Sequence, residues 1–371
     1  MATGSGERNL SRSGPEARLG RLRLSFSGLG IDALLVTHLP NIRYLCGFTG
    51  SAGLLLVDSS QATLLTDSRY TFQTREEVSG ARVQICRHGL VRAATEALGA
   101  RKGRSRVGYS PGQVSVAQKQ ALEAGSGSRV RWAADSGVVE KLRAVKDPGE
   151  LATMQRAADI ISGVFRRALG KIHTGVSELA VAAEIDYEIK RLGGSGNSFE
   201  TIVAAGKRSA WAHARPTSRL IGKNELVVLD QGAILAGYCS DLTRSVFVGK
   251  ASQKVKSLYA AVLEAQQAGK QAIRPGVTAG EVDRATRKAL KKAKLDRYFT
   301  HSTGHGLGLE VHEMPRLGKG EGTILEAGMV LTVEPGVYLE GFGGIRIEDD
   351  VVVTAKGAVD LTTAPRDFIE L

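Results

Sequence analysis

Cysteine is scarce in this 371-residue sequence: Cys46, Cys86 and Cys239 stand far apart, with no Cys-x-x-Cys spacing. An odd, dispersed set excludes a disulfide framework and leaves three reduced core thiols as the expectation. Long apolar runs are missing too. Nothing approaches the ~18 residues that a membrane-spanning helix needs, and the N-terminal stretch MATGSGERNL holds no apolar signal core. The expectation is a cytoplasmic protein with no membrane partner. A dense basic tract is also lacking, although the net charge is +12. Residues 1–137 hold 18 basic against 10 acidic side chains, and 16 of the 18 are arginines scattered singly without interleaved aromatics. A nucleic-acid footprint is a clustered stripe, so this spread charge reads as solvated surface and no nucleic-acid partner is expected. Two glycine-rich stretches fall short of nucleotide fingerprints. Gly50-Ser51-Ala52-Gly53 has no Gly-Lys-Ser/Thr ending and reads as a tight turn, and Gly304 to Gly308 leads to Val311, His312 and Pro315 instead of a clear helix.

What is present suggests two domains, the prior that this length sets. Residues 1–14 are polar and Gly/Ser-rich, too poor in apolar side chains to order themselves, and are expected to be a disordered tail. From 15 to 137 short apolar strands alternate with helices. An amphipathic helix is expected over 15–29, strands at Ile31–Val36, Asn41–Gly53, Leu54–Val57 and Ala62–Thr66, and a helix introduced by Asp67-Ser68-Arg69-Tyr70. That alternation is the pattern of an α/β domain. Val138–Asp147, ahead of Pro148-Gly149-Glu150, reads as the bridge into a second domain covering 138–371.

The second domain nearly repeats itself. Ile172-His173-Thr174-Gly175-Val176-Ser177 answers Ile273-Arg274-Pro275-Gly276-Val277-Thr278 at an offset of 101, each opening an amphipathic helix behind a Ser or Thr cap. His213-Ala214-Arg215-Pro216 answers His312-Glu313-Met314-Pro315, and Asp230-Gln231-Gly232 answers Glu334-Pro335-Gly336. Two half-domains of this kind would close around a shared centre, a favoured place for a ligand.

Carboxylates at that centre stand in apolar strands, where a lone ionised acid costs several kcal/mol unless cations or hydrogen bonds compensate it. A hairpin pivoting near Leu235 and Ala236 would set Asp230 opposite Asp241, and one centred on Gly341 would be flanked by Glu334 and Glu348. Four converging carboxylates call for divalent cations, and with one imidazole from the His301–His312 segment the set suits two ions such as manganese, cobalt or zinc.

The order and wording of Asp230, Asp241, His305, Glu334 and Glu348 resemble the dinuclear metallopeptidases of family M24. Gly304-His305-Gly306-Leu307-Gly308-Leu309-Glu310-Val311-His312-Glu313 and Glu334-Pro335-Gly336-Val337-Tyr338 are similar to its Xaa-Pro aminopeptidase and Xaa-Pro dipeptidase branch. The resemblance covers nearly the whole chain. It implies a small α/β N-terminal domain followed by an α+β pita-bread domain with a pseudo-twofold repeat. It also implies two divalent ions, manganese first and cobalt or zinc next. Asp230 would serve one ion, His305 with Glu334 the other, and Asp241 and Glu348 both. The implied reaction is hydrolysis of the bond before a proline at the second position of a peptide, by a hydroxide bridging the ions, with Glu334 handling its proton. His213 and His312 match the family's substrate histidines, His301 its proline-pocket histidine, and Tyr338 and Arg346 its tyrosine and arginine near the metals. Release of the first residue from longer peptides is the expected activity, because no long insertion follows His312 to wall off the groove; an Xaa-Pro dipeptidase is the alternative. A binding protein on the same fold would have lost metal ligands, whereas all five are here. Methionine aminopeptidases usually lack the first domain, and creatine hydrolases lack the full ligand set. The family also implies a homodimer or larger homo-oligomer.

Overall fold

In the computed structural model, residues 13–101 and 103–371 are described; apart from Ser13 and Gly14, the expected tail lies outside them. The chain divides into two compact units between Arg143 and Ala144.

In the first unit, helices α1 (Pro15–Leu24) and α2 (Phe26–Leu29) precede strand β1 (Ala33–Val36). Then come α3 (Leu39–Cys46), β2 (Leu54–Asp58), β3 (Ala62–Asp67), α4 (Gln73–Glu77), β4 (Arg82–Cys86), α5 (Leu90–Gly99), β5 (Ser105–Tyr109), α6 (Val116–Ser126), β6 (Val130–Ala134) and α7 (Val138–Ala144). The six strands form one sheet in the order β4-β3-β2-β1-β5-β6, with β2 alone running against its neighbours. Leu35, Leu56, Leu65 and Val107 of the sheet pack with Ala94 and Leu98 of α5 and Leu122 of α6. The strand expected over Asn41–Gly53 is a correction: its first part, through Cys46, belongs to α3. Pro40 sits in the first turn, where its missing N–H costs nothing, and Gly47 (φ 85°) ends the helix in the left-handed conformation.

The second unit contains α8 (Pro148–Ala168), α9 (Glu178–Arg191), β7 (Gly196–Asn197), β8 (Ile202–Ala205), β9 (Glu225–Gln231), β10 (Ala233–Leu235), β11 (Tyr238–Cys239) and β12 (Leu242–Val248). It continues through α10 (Gln253–Ala272), α11 (Ala279–Lys292), β13 (Gly304–Gly306), β14 (Glu313–Leu317), β15 (Val330–Val333), β16 (Gly336–Leu339), β17 (Gly343–Arg346), β18 (Asp349–Thr354), β19 (Gly357–Asp360) and β20 (Ile369–Glu370). The repeat is visible in its hydrogen bonds. Ser177 and Thr278 cap α9 and α11 from their side chains, and the same two residues form lone bridges to Leu220 and Ile324. The triplet β8-β9-β12 in one sheet answers β13-β15-β18 in the other. Apolar faces of α8 and α9 cover the first triplet through Val164, Phe165, Val181 and Ile185. Residues Val282 of α11 and Val333 and Val351 of the second sheet share another core.

Register decides what the hairpins deliver. Gly336 to Leu339 pair with Arg346 to Gly343 about Gly341, so Glu334 and Glu348 flank that axis as expected. The other hairpin is corrected. Both Ala236 (φ 45°) and Gly237 (φ 84°) form its turn, the geometry of a tight two-residue loop, and Leu235 pairs with Tyr238. Asp230 therefore faces Thr243, and Asp241 is its diagonal neighbour instead of its direct partner.

Candidate metal centre

Asp230 is the penultimate residue of β9, Asp241 leads into β12, His305 is the middle of β13, and Glu334 and Glu348 lie at the ends of the two strand pairs centred on Gly341. Ligand atoms of Asp241, His305 and Glu348 all fall within 4.8 Å of one another. The Nε2 atom of His305 is 3.5 Å from Glu334 Oε1 and 3.7 Å from Asp241 Oδ2. Glycines flank His305 for a steric reason: a Cβ at Gly304 would lie 2.0 Å from the Thr332 carbonyl, and one at Gly306 2.1 Å from that of Met314.

The electrostatics fit a cation site. Burial first, then neighbouring carboxylates, push Asp241 and Glu348 well above the ordinary range. Glu334 rises to about 7, through burial and Asp230 against the opposing Arg346. Burial holds His305 down at about 4, so its imidazole is neutral at pH 7. Its Nδ1 sits 3.0 Å from the Gly306 carbonyl, which can only accept, so Nδ1 carries the proton and the Nε2 lone pair faces the carboxylates. A lone pair aimed at acids repels them unless a cation lies between. Asp230 Oδ1 and Asp241 Oδ1 are also buried without a hydrogen-bond partner among the described residues. These donors, four carboxylates and one imidazole, fit divalent cations.

Arg346 supplies the protein's own positive charge. Its guanidinium donates to Asp230 Oδ2 at 2.5 Å, to the Tyr338 hydroxyl at 2.7 Å and to the Ala212 carbonyl at 3.1 Å. Tyr338 in turn donates to His301 Nε2 at 2.9 Å, and burial keeps the tyrosine protonated, up at about 12. His301, lowered to about 4 by burial and Arg346, stays neutral. His312 stacks edge-on against His305, ring centres 4.3 Å apart, and partial burial lowers it too. His213, His301, His305 and His312 line one cavity of about 610 Å³ with Asp230, Asp241, Glu334, Arg346 and Glu348. Tyr338 reaches this group through its hydrogen bonds to His301 and Arg346. All candidate residues are thus gathered in one place.

Several residues around this centre escaped the sequence reading. Thr243 Oγ1 donates to Glu348 Oε2 at 2.5 Å and accepts from Arg346 Nε at 3.1 Å. Asp350 Oδ2 accepts the Asp241 N–H at 2.9 Å. Arg316 lies directly across the ladder from His305 and lines the cavity. Only the register reveals these neighbours, and the one available signal is a threonine or acid set into an apolar strand. The first unit has a cavity of its own, about 680 Å³, with arginines at 23, 101 and 104. Its Asp58 already accepts from Arg101, Ser60 and Gln61.

Residues 152–355 match the model of metallopeptidase family M24, and residues 18–145 match the creatinase/prolidase N-terminal domain. The chain belongs to metallopeptidase family M24. It is similar to the Xaa-Pro dipeptidase of Pyrococcus horikoshii, 34% identical over 91% of this chain and 95% of that protein. Among solved structures it resembles an Xaa-Pro dipeptidase from Bacillus anthracis (TM-score 0.93, 36% identity, covering 96% of this chain and all of the other). It also resembles an X-Pro aminopeptidase from Thermotoga maritima (TM-score 0.87, 33% identity, covering 95% and 100%). The fold is therefore a creatinase-type N-terminal domain joined to a pita-bread catalytic domain, and the M24 chain is a hydrolase acting on peptides. No described helix is long and apolar enough to cross a membrane.

Proposed function

We propose that this M24 peptidase is an Xaa-Pro dipeptidase, holding two divalent cations, manganese before cobalt or zinc, on Asp230, Asp241, His305, Glu334 and Glu348. The observation that carries the dipeptide reading is Arg316. Directly paired residues project from the same face of a sheet, so Arg316 stands beside His305, exposed, lining the cavity and, among the described residues, without an ion pair or hydrogen bond. A free proline carboxylate is the substrate group that such a guanidinium recognises, and only a dipeptide carries one next to the scissile bond. The relatives named Xaa-Pro dipeptidase support the same choice.

Bound divalent cations activate water and polarise the scissile carbonyl. The chain's residues do the rest. Glu334 lines the cavity beside His305, where its carboxylate would take the proton of that water as general base. Neutral His312 and the exposed His213 present N–H donors to the carbonyl oxygen as negative charge develops there, a contribution worth a few kcal/mol. Arg346 fixes Asp230 at the metal centre, and Tyr338 fixes His301 beside the proline ring. Cleavage of longer peptides is the second reading, favoured by the short segment 315–322 and the likeness to an X-Pro aminopeptidase. Metal-loaded protein offered Gly-Pro and Gly-Pro-Ala separates the two. The dipeptide is expected to have the higher kcat/KM by about 100-fold, ~2.7 kcal/mol, and preferred hydrolysis of the tripeptide overturns the dipeptidase reading.

A further inference from the structure

The imidazole of His213, which lines the cavity, makes no hydrogen bond among the described residues. The backbone of residues 206–217, an irregular stretch opened by the short turn Gly206–Ala210, therefore sets its position. One side chain holds both ends of that stretch. Glu178, the first residue of α9, is fully buried, with 0% exposure. Its Oε1 accepts the Ala205 N–H at 2.9 Å; its Oε2 accepts the Thr217 N–H at 3.0 Å and the Thr217 hydroxyl at 2.8 Å. Arg208 Nε donates between the two oxygens, at 3.2 and 3.1 Å, and the same guanidinium turns back to the Arg215 carbonyl. Ser177 already caps α9 through the Ala180 N–H, which leaves the Glu178 carboxylate to the loop. On the inner side, Arg346 holds the Ala212 carbonyl, one residue before His213.

The second half uses the same device with different residues. Asp283 on α11 accepts from Arg287 Nε and from the Thr303 hydroxyl, both at 2.8 Å, and Arg287 donates to the His301 carbonyl at 2.5 Å. In each half, the helix behind the Ser or Thr cap reaches over with a buried acid and pins the segment carrying a cavity histidine.

We propose that Glu178 is a positioning residue: by closing the 205–217 loop at both ends it holds His213 against the substrate carbonyl. The inference rests on the role given to His213 above. A carboxylate is needed because all the groups it meets are donors; a glutamine would turn its NH₂ against one of them.

The test measures kcat and KM for Gly-Pro, bound manganese and melting temperature for Glu178→Gln, Glu178→Ala, His213→Ala and the Glu178/His213 double variants. Loss of loop geometry is expected to cost roughly 10²-fold in kcat with KM and manganese content little changed. On the His213→Ala background the same substitution costs less than about twofold, because the two changes remove one contribution. Should Glu178→Ala fail to fold, Thr217→Val and Arg208→Met each remove part of the clamp, with the same non-additivity expected. Equal fold-losses on both backgrounds, or Glu178 variants with wild-type kcat beside an impaired His213→Ala, overturn the inference and leave the dipeptidase reading intact. Wild-type turnover by His213→Ala overturns the role of His213, and the inference falls with it.

Discussion

Two neighbouring clusters treat buried acids in opposite ways. Asp349 is fully buried, yet it accepts from Arg244 (2.8 Å), Gln266 (2.6 Å), Lys270 (3.3 Å), Thr362 (2.9 Å) and Arg366. Burial pushes its pKa up, but Arg244, Lys270 and Arg366 win and hold it well below the ordinary range. One residue earlier in the chain, Glu348 joins Asp241 and Glu334 in a cluster whose protein cation is Arg346, and all three are raised. A buried acid matched by the protein's own cations is architecture. Buried acids left short of positive charge specify a ligand that brings it.

The sharpest way to break that contrast is by substitution in the cation-free protein. Asp349→Ala leaves Arg244 buried without its acid and is expected to cost ~3–5 kcal/mol of stability. Glu348→Gln removes one of several like charges and is expected to raise stability instead. Denaturant midpoints of the two variants in chelator check the signs, and a similar loss in both would erase the distinction.

A smaller effect follows from pH. Glu334 moves from an ordinary 4.5 to about 7 on folding, so the folded protein keeps a proton that the unfolded chain gives up. That contribution is complete below the unfolded value and disappears as pH rises through about 7. Asp349 runs the other way, its contribution being present above the ordinary carboxylate range and lost as pH falls. Asp241 and Glu348 add to that loss, whereas His301 and His305, held down at about 4, gain stability up to their ordinary 6.5. Above about pH 6.5 and up to about pH 8 the cation-free protein is therefore expected to lose melting temperature, and Glu334→Gln to lose less. Identical profiles would contradict the assignment.

The mildest member of the contrast is Arg316, a cation without an acid partner among the described residues. Replacing it with methionine is expected to raise KM for Xaa-Pro dipeptides by about tenfold, the lower end for a hydrogen bond to a charged group. A tripeptide lacks the carboxylate at that place and should be little affected. Equal changes for both substrates would detach Arg316 from carboxylate recognition.

Much of this is legible in the sequence. The Ser177 and Thr278 caps and the axis at Gly341 follow from residue spacing, because a repeat and a hairpin both obey simple arithmetic. The facing of Asp230 and Asp241 did not, since Ala236 and Gly237 both turn with positive φ and shift the pivot by one residue, which moves every partner by two. Asn41 to Cys46 looked like strand from composition, although Pro40 and Gly47 mark a helix start and stop. Arg316, Thr243 and Glu178 stayed hidden because their partners lie across strands or loops, at distances that no periodicity encodes.

The central claim is that this acid cluster is completed by divalent cations and then hydrolyses Xaa-Pro dipeptides. Calorimetric titration of stripped protein with manganese, run near neutral pH in two buffers of different ionisation enthalpy, tests it most directly, with Gly-Pro hydrolysis followed in the same samples. The account predicts uptake of two ions per chain, release of protons as raised carboxylates ionise, activity rising in step, and loss of both in Glu348→Gln. Full hydrolysis in excess chelator, or uptake with no proton release and no gain in activity, would contradict it.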